Sequence, residues 1–84
     1  MQNVINLLKR LKIKEYTFKT SSFMEMLSFH LQPIIKVKIY FYLDKEDYIL
    51  KMFYDDTPLN TEIFSCYEDL ELYIIREFNL CRNR

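Results

Sequence analysis

The chain carries one histidine, His30, two cysteines, Cys66 and Cys81, and no glycine at all. A catalytic triad, a histidine-ligated zinc or an imidazole general base would each have to run through His30. That residue stands between Phe29 and Leu31, with no cysteine near it in sequence and no HExxH or CxxC spacing. A structural or surface role is the expectation. Paired carboxylates are the other route to acid–base chemistry. They gather at Asp44, Glu46 and Asp47, at Asp55 and Asp56, and at Glu68, Asp69 and Glu71. These are places where solvated charge is ordinary, and none has the glycine and closing glutamate of a calcium loop. The lack of glycine also removes phosphate-cradling loops and nucleophile elbows, which need backbone at positive φ or in close approach. The residues therefore predict a protein that is not an enzyme, with no catalytic residue, no metal and no cofactor.

Two other residue sets point to binding. Lys38, Tyr40, Tyr42, Lys51 and Phe53, joined by Thr17 and Lys19, interleave lysines with aromatic rings. Bases stack on rings and lysines track phosphates, so this set is a candidate nucleic-acid platform. Tyrosine and phenylalanine also favour strands whatever the function. The second set is the acidic one, with Tyr42 and Tyr48 as exposed aromatic anchors beside it.

The elements that must position these residues follow from periodicity. Val4, Leu7, Leu8 and Leu11 recur at helical spacing and predict a helix over residues 3–12, with Asn3 as its N-cap. Tyr16 and Phe18 alternate with Thr17 and Lys19 as in a strand. Residues 22–33 are ambiguous between a short helix or irregular loop and a strand. Ser22 and Glu25 have capping-box spacing and Pro33 interrupts a continuous strand, so the helix or loop is favoured. Next comes a hairpin. Ile35, Val37, Ile39, Phe41 and Leu43 share a core face with Leu50 and Met52, while Lys36, Lys38, Tyr40 and Tyr42 share the other with Ile49, Lys51 and Phe53. Its connection, Asp44-Lys45-Glu46-Asp47, suits a longer turn because no Asn-Gly or Asp-Gly is present. Asp55-Asp56-Thr57-Pro58 starts a loop. Ser65 and Glu68 form a second capping-box spacing that opens a helix to about Asn79, with Tyr67, Leu70, Ile74 and Phe78 as its buried stripe and Tyr73 at the edge.

The expected fold is a small single α+β domain over residues 1–84, with an antiparallel sheet of about three strands between an N-terminal and a C-terminal helix, and a short helix near residues 22–31. The α-β-β-β-α order matches double-stranded RNA-binding domains in outline, but the last helix opens with acids where such domains are basic. A chain of this length buries about two-thirds of its unfolded surface, which gives one core of modest size. No apolar run is long enough to span a membrane, the N-terminus does not read as a secretory signal, and two cysteines make no disulfide framework. A cytoplasmic location follows as the expectation. The net charge is zero, yet residues 1–42 carry seven Lys/Arg against two acids and residues 43–84 carry five against ten. Opposed patches on one chain, or pairing of the halves between two copies, would both fit that division.

Residues 4–21, VINLLKRLKIKEYTFKTS, resemble the opening of a small phage-encoded anti-CRISPR family that inhibits Cas9: a short amphipathic helix, then a strand with a Tyr-Thr pair. The later order of a hairpin and a helix introduced by Tyr67-Glu68-Asp69 is also similar. The detailed likeness covers about the first quarter of the chain. The resemblance implies a phage inhibitor working by protein–protein contact in the cytoplasm of a bacterial host, against a CRISPR-Cas effector or another defence nuclease. In that family carboxylates take the place of DNA phosphates. The positions that match here are Glu15, Asp44, Glu46, Asp47, Glu68 and Asp69. This chain is neutral and has no glycine in its turn, where the family is acidic and has one.

Overall fold

The structure, a computed structural model, describes residues 1–82. Its elements are α1 (Gln2–Arg10), β1 (Tyr16–Thr20), β2 (Met24–Gln32), β3 (Ile35–Tyr42), β4 (Asp47–Tyr54), β5 (Thr57–Phe64) and α2 (Tyr67–Arg82). The strands form one antiparallel sheet in the order β1-β2-β3-β4-β5, each paired with its neighbour in sequence. The α+β class, the two terminal helices and the central hairpin are as the periodicity predicts. The sheet has five strands, however, where about three were expected.

The helix expected near residues 22–31 is instead β2. Leu27 and Phe29 are fully buried on one face, while Met26, Ser28 and His30 point the other way. That is the period-two solution, and it lets Leu27 and Phe29 lie beside Ile39 and Val37 of β3. The capping-box residues have other work. Glu25 Oε1 accepts from the Met1 ammonium at 2.9 Å, and Ser22 lies in the bend that leads into β2. Pro33 does not end the sheet. It occupies the first position of a two-residue turn flanked by the Gln32–Ile35 pair, where its fixed φ fits and no N–H is demanded.

The fifth strand arises from a second turn. Asp55 and Asp56 have φ of 48° and 64°, and the Tyr54–Thr57 pair closes around them. Two consecutive positive φ values define the hairpin turn that matches strand twist, normally built with glycine and here built with two aspartates, which tolerate that region better than most residues. The expected loop from Asp55 onward is thus a hairpin into β5. The β3–β4 connection is longer, with Leu43 to Glu46 between the Tyr42–Asp47 pair and Glu46 at φ 56°. Leu43, expected in the core, lies in this turn and is exposed.

Both helices pack on one side of the sheet. Val4, Leu7 and Leu8 of α1 and Leu70, Ile74 and Cys81 of α2 meet Leu27, Phe29, Ile35, Val37, Ile39, Leu50 and Met52 in a single core. Helix α1 begins at Gln2 with Met1 as its cap, so Asn3 lies inside the first turn, where its carbonyl accepts a hydrogen bond from the Tyr67 hydroxyl of α2 at 3.0 Å. It stops at Arg10 because Lys12 turns to φ 62°. The Ile13 N–H then reaches the Leu8 carbonyl and the Lys12 N–H the Lys9 carbonyl, which closes the helix end. Helix α2 runs past Asn79 to Arg82. Cys81, not Phe78, completes its buried stripe, and Gln32 Nε2 holds the Cys81 carbonyl at 2.6 Å.

Candidate binding surface

With both helices on one side, the opposite face of all five strands is left uncovered. None of its apolar residues, Met24, Met26, Tyr40, Tyr42, Ile49, Phe53 or Ile63, belongs to the core or to the shell packed against it. Strand register sets the face out in rows. One row reads Lys19, Met26, Tyr40, Ile49, Ile63 across the sheet, and the next reads Thr17, Ser28, Lys38, Lys51, Thr61. A third brings His30, Lys36 and Phe53 side by side, and at the other end Met24, Tyr42 and Asp47 form the last.

The centre of this face is unusual. Lys38 and Lys51 stand directly opposite each other on β3 and β4. Like charges in that position repel. Each ammonium leans away along the diagonal and over a ring of the neighbouring strand: Lys38 Nζ lies 5.5 Å from the centroid of Phe53, and Lys51 Nζ lies 5.6 Å from that of Tyr40. The ring faces attract the cations and relieve part of the repulsion, by about 0.5–1 kcal/mol at exposed sites. Lys19 and Lys36 add to the same face, and its carboxylates lie at its ends, Asp47 at one and Glu15, close to His30 and Lys36, at the other. The charge asymmetry of the sequence is resolved by face only in part. Lys19, Lys36, Lys38 and Lys51 hold the open sheet, while Lys9, Arg10, Lys12 and Lys14 stay with α1 and the segment after it.

The residues expected to bind nucleic acid, Lys38, Tyr40, Tyr42, Lys51 and Phe53, are thus gathered on one surface. Residues 22–31 do not cover it but extend it with Met26, Ser28 and His30. Those three, with Thr61 and Ile63 of β5, were missed from sequence. Their signal was the alternation with Leu27, Phe29 and Leu31 on β2 and with Asn60, Glu62 and Phe64 on β5. The second of these is hard to read, because Asn60 and Glu62 are polar on the helix side. Asn60 Nδ2 donates there to the Tyr73 hydroxyl at 2.8 Å.

The acidic set is divided. Asp44 and Glu46 lie in the β3–β4 turn, Asp47 opens β4, and Glu68 and Asp69 lie in the first turn of α2. All are at one end of the sheet, because Tyr48 pairs with Phe64 just before α2 begins. Glu15 precedes β1 at the other end. Tyr16 shares a row with Phe29 and Val37, and Tyr42 is five residues further along β3, about 17 Å at strand rise. Tyr42 is half-buried on the open face. Tyr48 is not an exposed anchor: it points to the helix side, its ring 4.7 Å from Phe41 and 6.4 Å from Tyr67. Burial, with the Glu25 and Glu68 carboxylates nearby, raises its phenol above the ordinary value near 10.

No group of three or more His, Cys, Asp or Glu side chains among the described residues is arranged to hold a metal ion. No helix among them is long and apolar enough to cross a membrane. No protein-family model, no curated protein and no solved structure matches this chain.

Proposed function

We propose that the chain is a small non-enzymatic binding protein, acting in the cytoplasm, whose uncovered sheet face takes single-stranded nucleic acid. The observation that carries this reading is the central lysine pair laid over Phe53 and Tyr40. Each lysine holds its ring only weakly, so a phosphate that draws Lys38 and Lys51 outward also bares two rings for bases to stack on. The flanking Lys19 and Lys36 continue the charge along the strand directions. The test is anisotropy of labelled single-stranded RNA and DNA as salt is raised. Binding should weaken steeply with salt, and Lys38→Ala with Lys51→Ala should reduce the steepness by about two phosphate contacts. No binding at low salt would end the proposal.

A second reading keeps the acidic end. Asp44, Glu46, Asp47, Glu68 and Asp69 share one end of the molecule, and such a surface can substitute for phosphates in an arginine-lined cleft and gain a charge-driven on-rate. On this reading the chain is a phage inhibitor of a CRISPR-Cas effector or other defence nuclease, in line with the anti-CRISPR resemblance. Glu15 takes no part in that surface. A nuclease-inhibition assay checks it: activity of the inhibitor should fall when Asp44, Glu46 and Asp47 are changed together to Ala, and unchanged inhibition would rule out the acidic end.

A further inference from the structure

A meander sheet has two edges, and this one protects them unequally. On β5, Pro58 offers no N–H, the pairing with β4 shifts register between Met52 and Phe53, and Glu62 turns a charge toward the helix side. Each of these devices discourages a further strand from adding. The β1 edge has neither proline nor bulge, and its one charge is Lys19 on the open face. Its register against β2 is unbroken from Tyr16 to Thr20, and all five of its residues are exposed. Tyr16 and Phe18 face the helix side yet are both 39% exposed, because neither is reached by the packed core.

We propose that the β1 edge is a self-association surface, on which a second copy of this chain pairs its own β1 in antiparallel fashion. Pleating requires residues directly opposite to lie on the same face, so only registers that match like faces are open. Centring the pair on Lys19 sets two lysines against each other. Centring it on Phe18 sets Phe18 against Phe18, Tyr16 against Thr20 and Thr17 against Lys19. That register uses all five residues, opposes no like charges and covers the two stranded aromatics. The symmetry axis then runs normal to the sheet. The product is a ten-stranded sheet with every helix on one side and both lysine–aromatic faces on the other.

The experiment is sedimentation of the full chain, without nucleic acid, at concentrations on the order of 100 μM, where contacts of this small size are populated. The unchanged chain should sediment as a concentration-dependent dimer. Thr17 is exposed, so its variants fold readily. Thr17→Glu places a carboxylate opposite the partner's Lys19 and should tighten the dimer by on the order of tenfold, while Thr17→Lys should weaken it comparably. Phe18→Lys and Phe18→Glu should each be monomeric and should form a heterodimer when mixed. A monomeric unchanged chain, equal effects of the two Thr17 variants, or a dimer that persists in Phe18→Lys would each overturn the proposal. The measurement is independent of nucleic-acid binding, so it stands or falls apart from the function proposed above.

Discussion

Four non-glycine residues, Lys12, Glu46, Asp55 and Asp56, hold positive φ, and three of the connections between elements depend on them. Left-handed backbone costs a residue with a Cβ about 1–2 kcal/mol, a cost glycine does not carry. Lys12→Gly at the α1 terminus and Asp56→Gly in the β4–β5 turn should therefore each stabilise the protein. The added freedom of glycine in the unfolded chain cuts the net gain to under about 1 kcal/mol, a rise in Tm of several degrees in a domain of this size. Thermal unfolding followed by circular dichroism checks both. A fall in Tm would mean that the lysine or aspartate side chain contributes more than its backbone strain costs.

At the scale of the element, β2 is where helix and strand competed. A helix through residues 22–31 would bury Met26 and Leu27 together, whereas a strand puts them on opposite faces. Leu27→Ala should cost about 2–5 kcal/mol, as a cavity in a packed core does. Met26→Ala, on the open face, should cost well under that. Urea unfolding of the two variants measures the contrast, and equal losses would contradict the strand. The β3–β4 hairpin was legible because Ile35, Val37 and Ile39 alternate with Lys36, Lys38 and Tyr40, so both period and polarity agree. Helix α1 was legible for the same reason. Strand β5 was not: its helix-side residues Asn60 and Glu62 are polar, its outward residues Leu59 and Ile63 are exposed, and a turn without glycine announces it. Its place in the sheet comes from backbone pairing with β4 and from contacts such as Phe64 against Tyr73, at 5.4 Å.

For the whole molecule, the helix layer sets a pH limit. Tyr48, Tyr67 and Tyr73 all have phenols raised above the usual value near 10, in each case chiefly by burial. A raised phenol favours its proton in the folded state. Stability is then full below the unfolded value near 10 and falls as pH climbs from there through the folded values. Urea midpoints should hold steady up to about pH 9 and drop by about pH 11, and Tyr48→Phe should make that drop shallower. A drop of the same size in Tyr48→Phe would assign the loss to other groups.

The sequence by itself determined the class of the fold, the two amphipathic helices, the central hairpin and, Leu43 apart, which of its residues lie on which face. These follow from local periodicity and need no knowledge of neighbours. The number of strands was decided only in three dimensions, because β2 and β5 take their structure from the strands beside them and from turns that lack glycine. So was the division of charge. Sequence placed most lysines and acids in opposite halves, but Lys19, Lys36, Lys38 and Lys51 share a surface because both helices chose the other side of the sheet. That choice, driven by burying Leu27, Phe29, Val37 and Ile39, left Lys38 and Lys51 facing each other in the open.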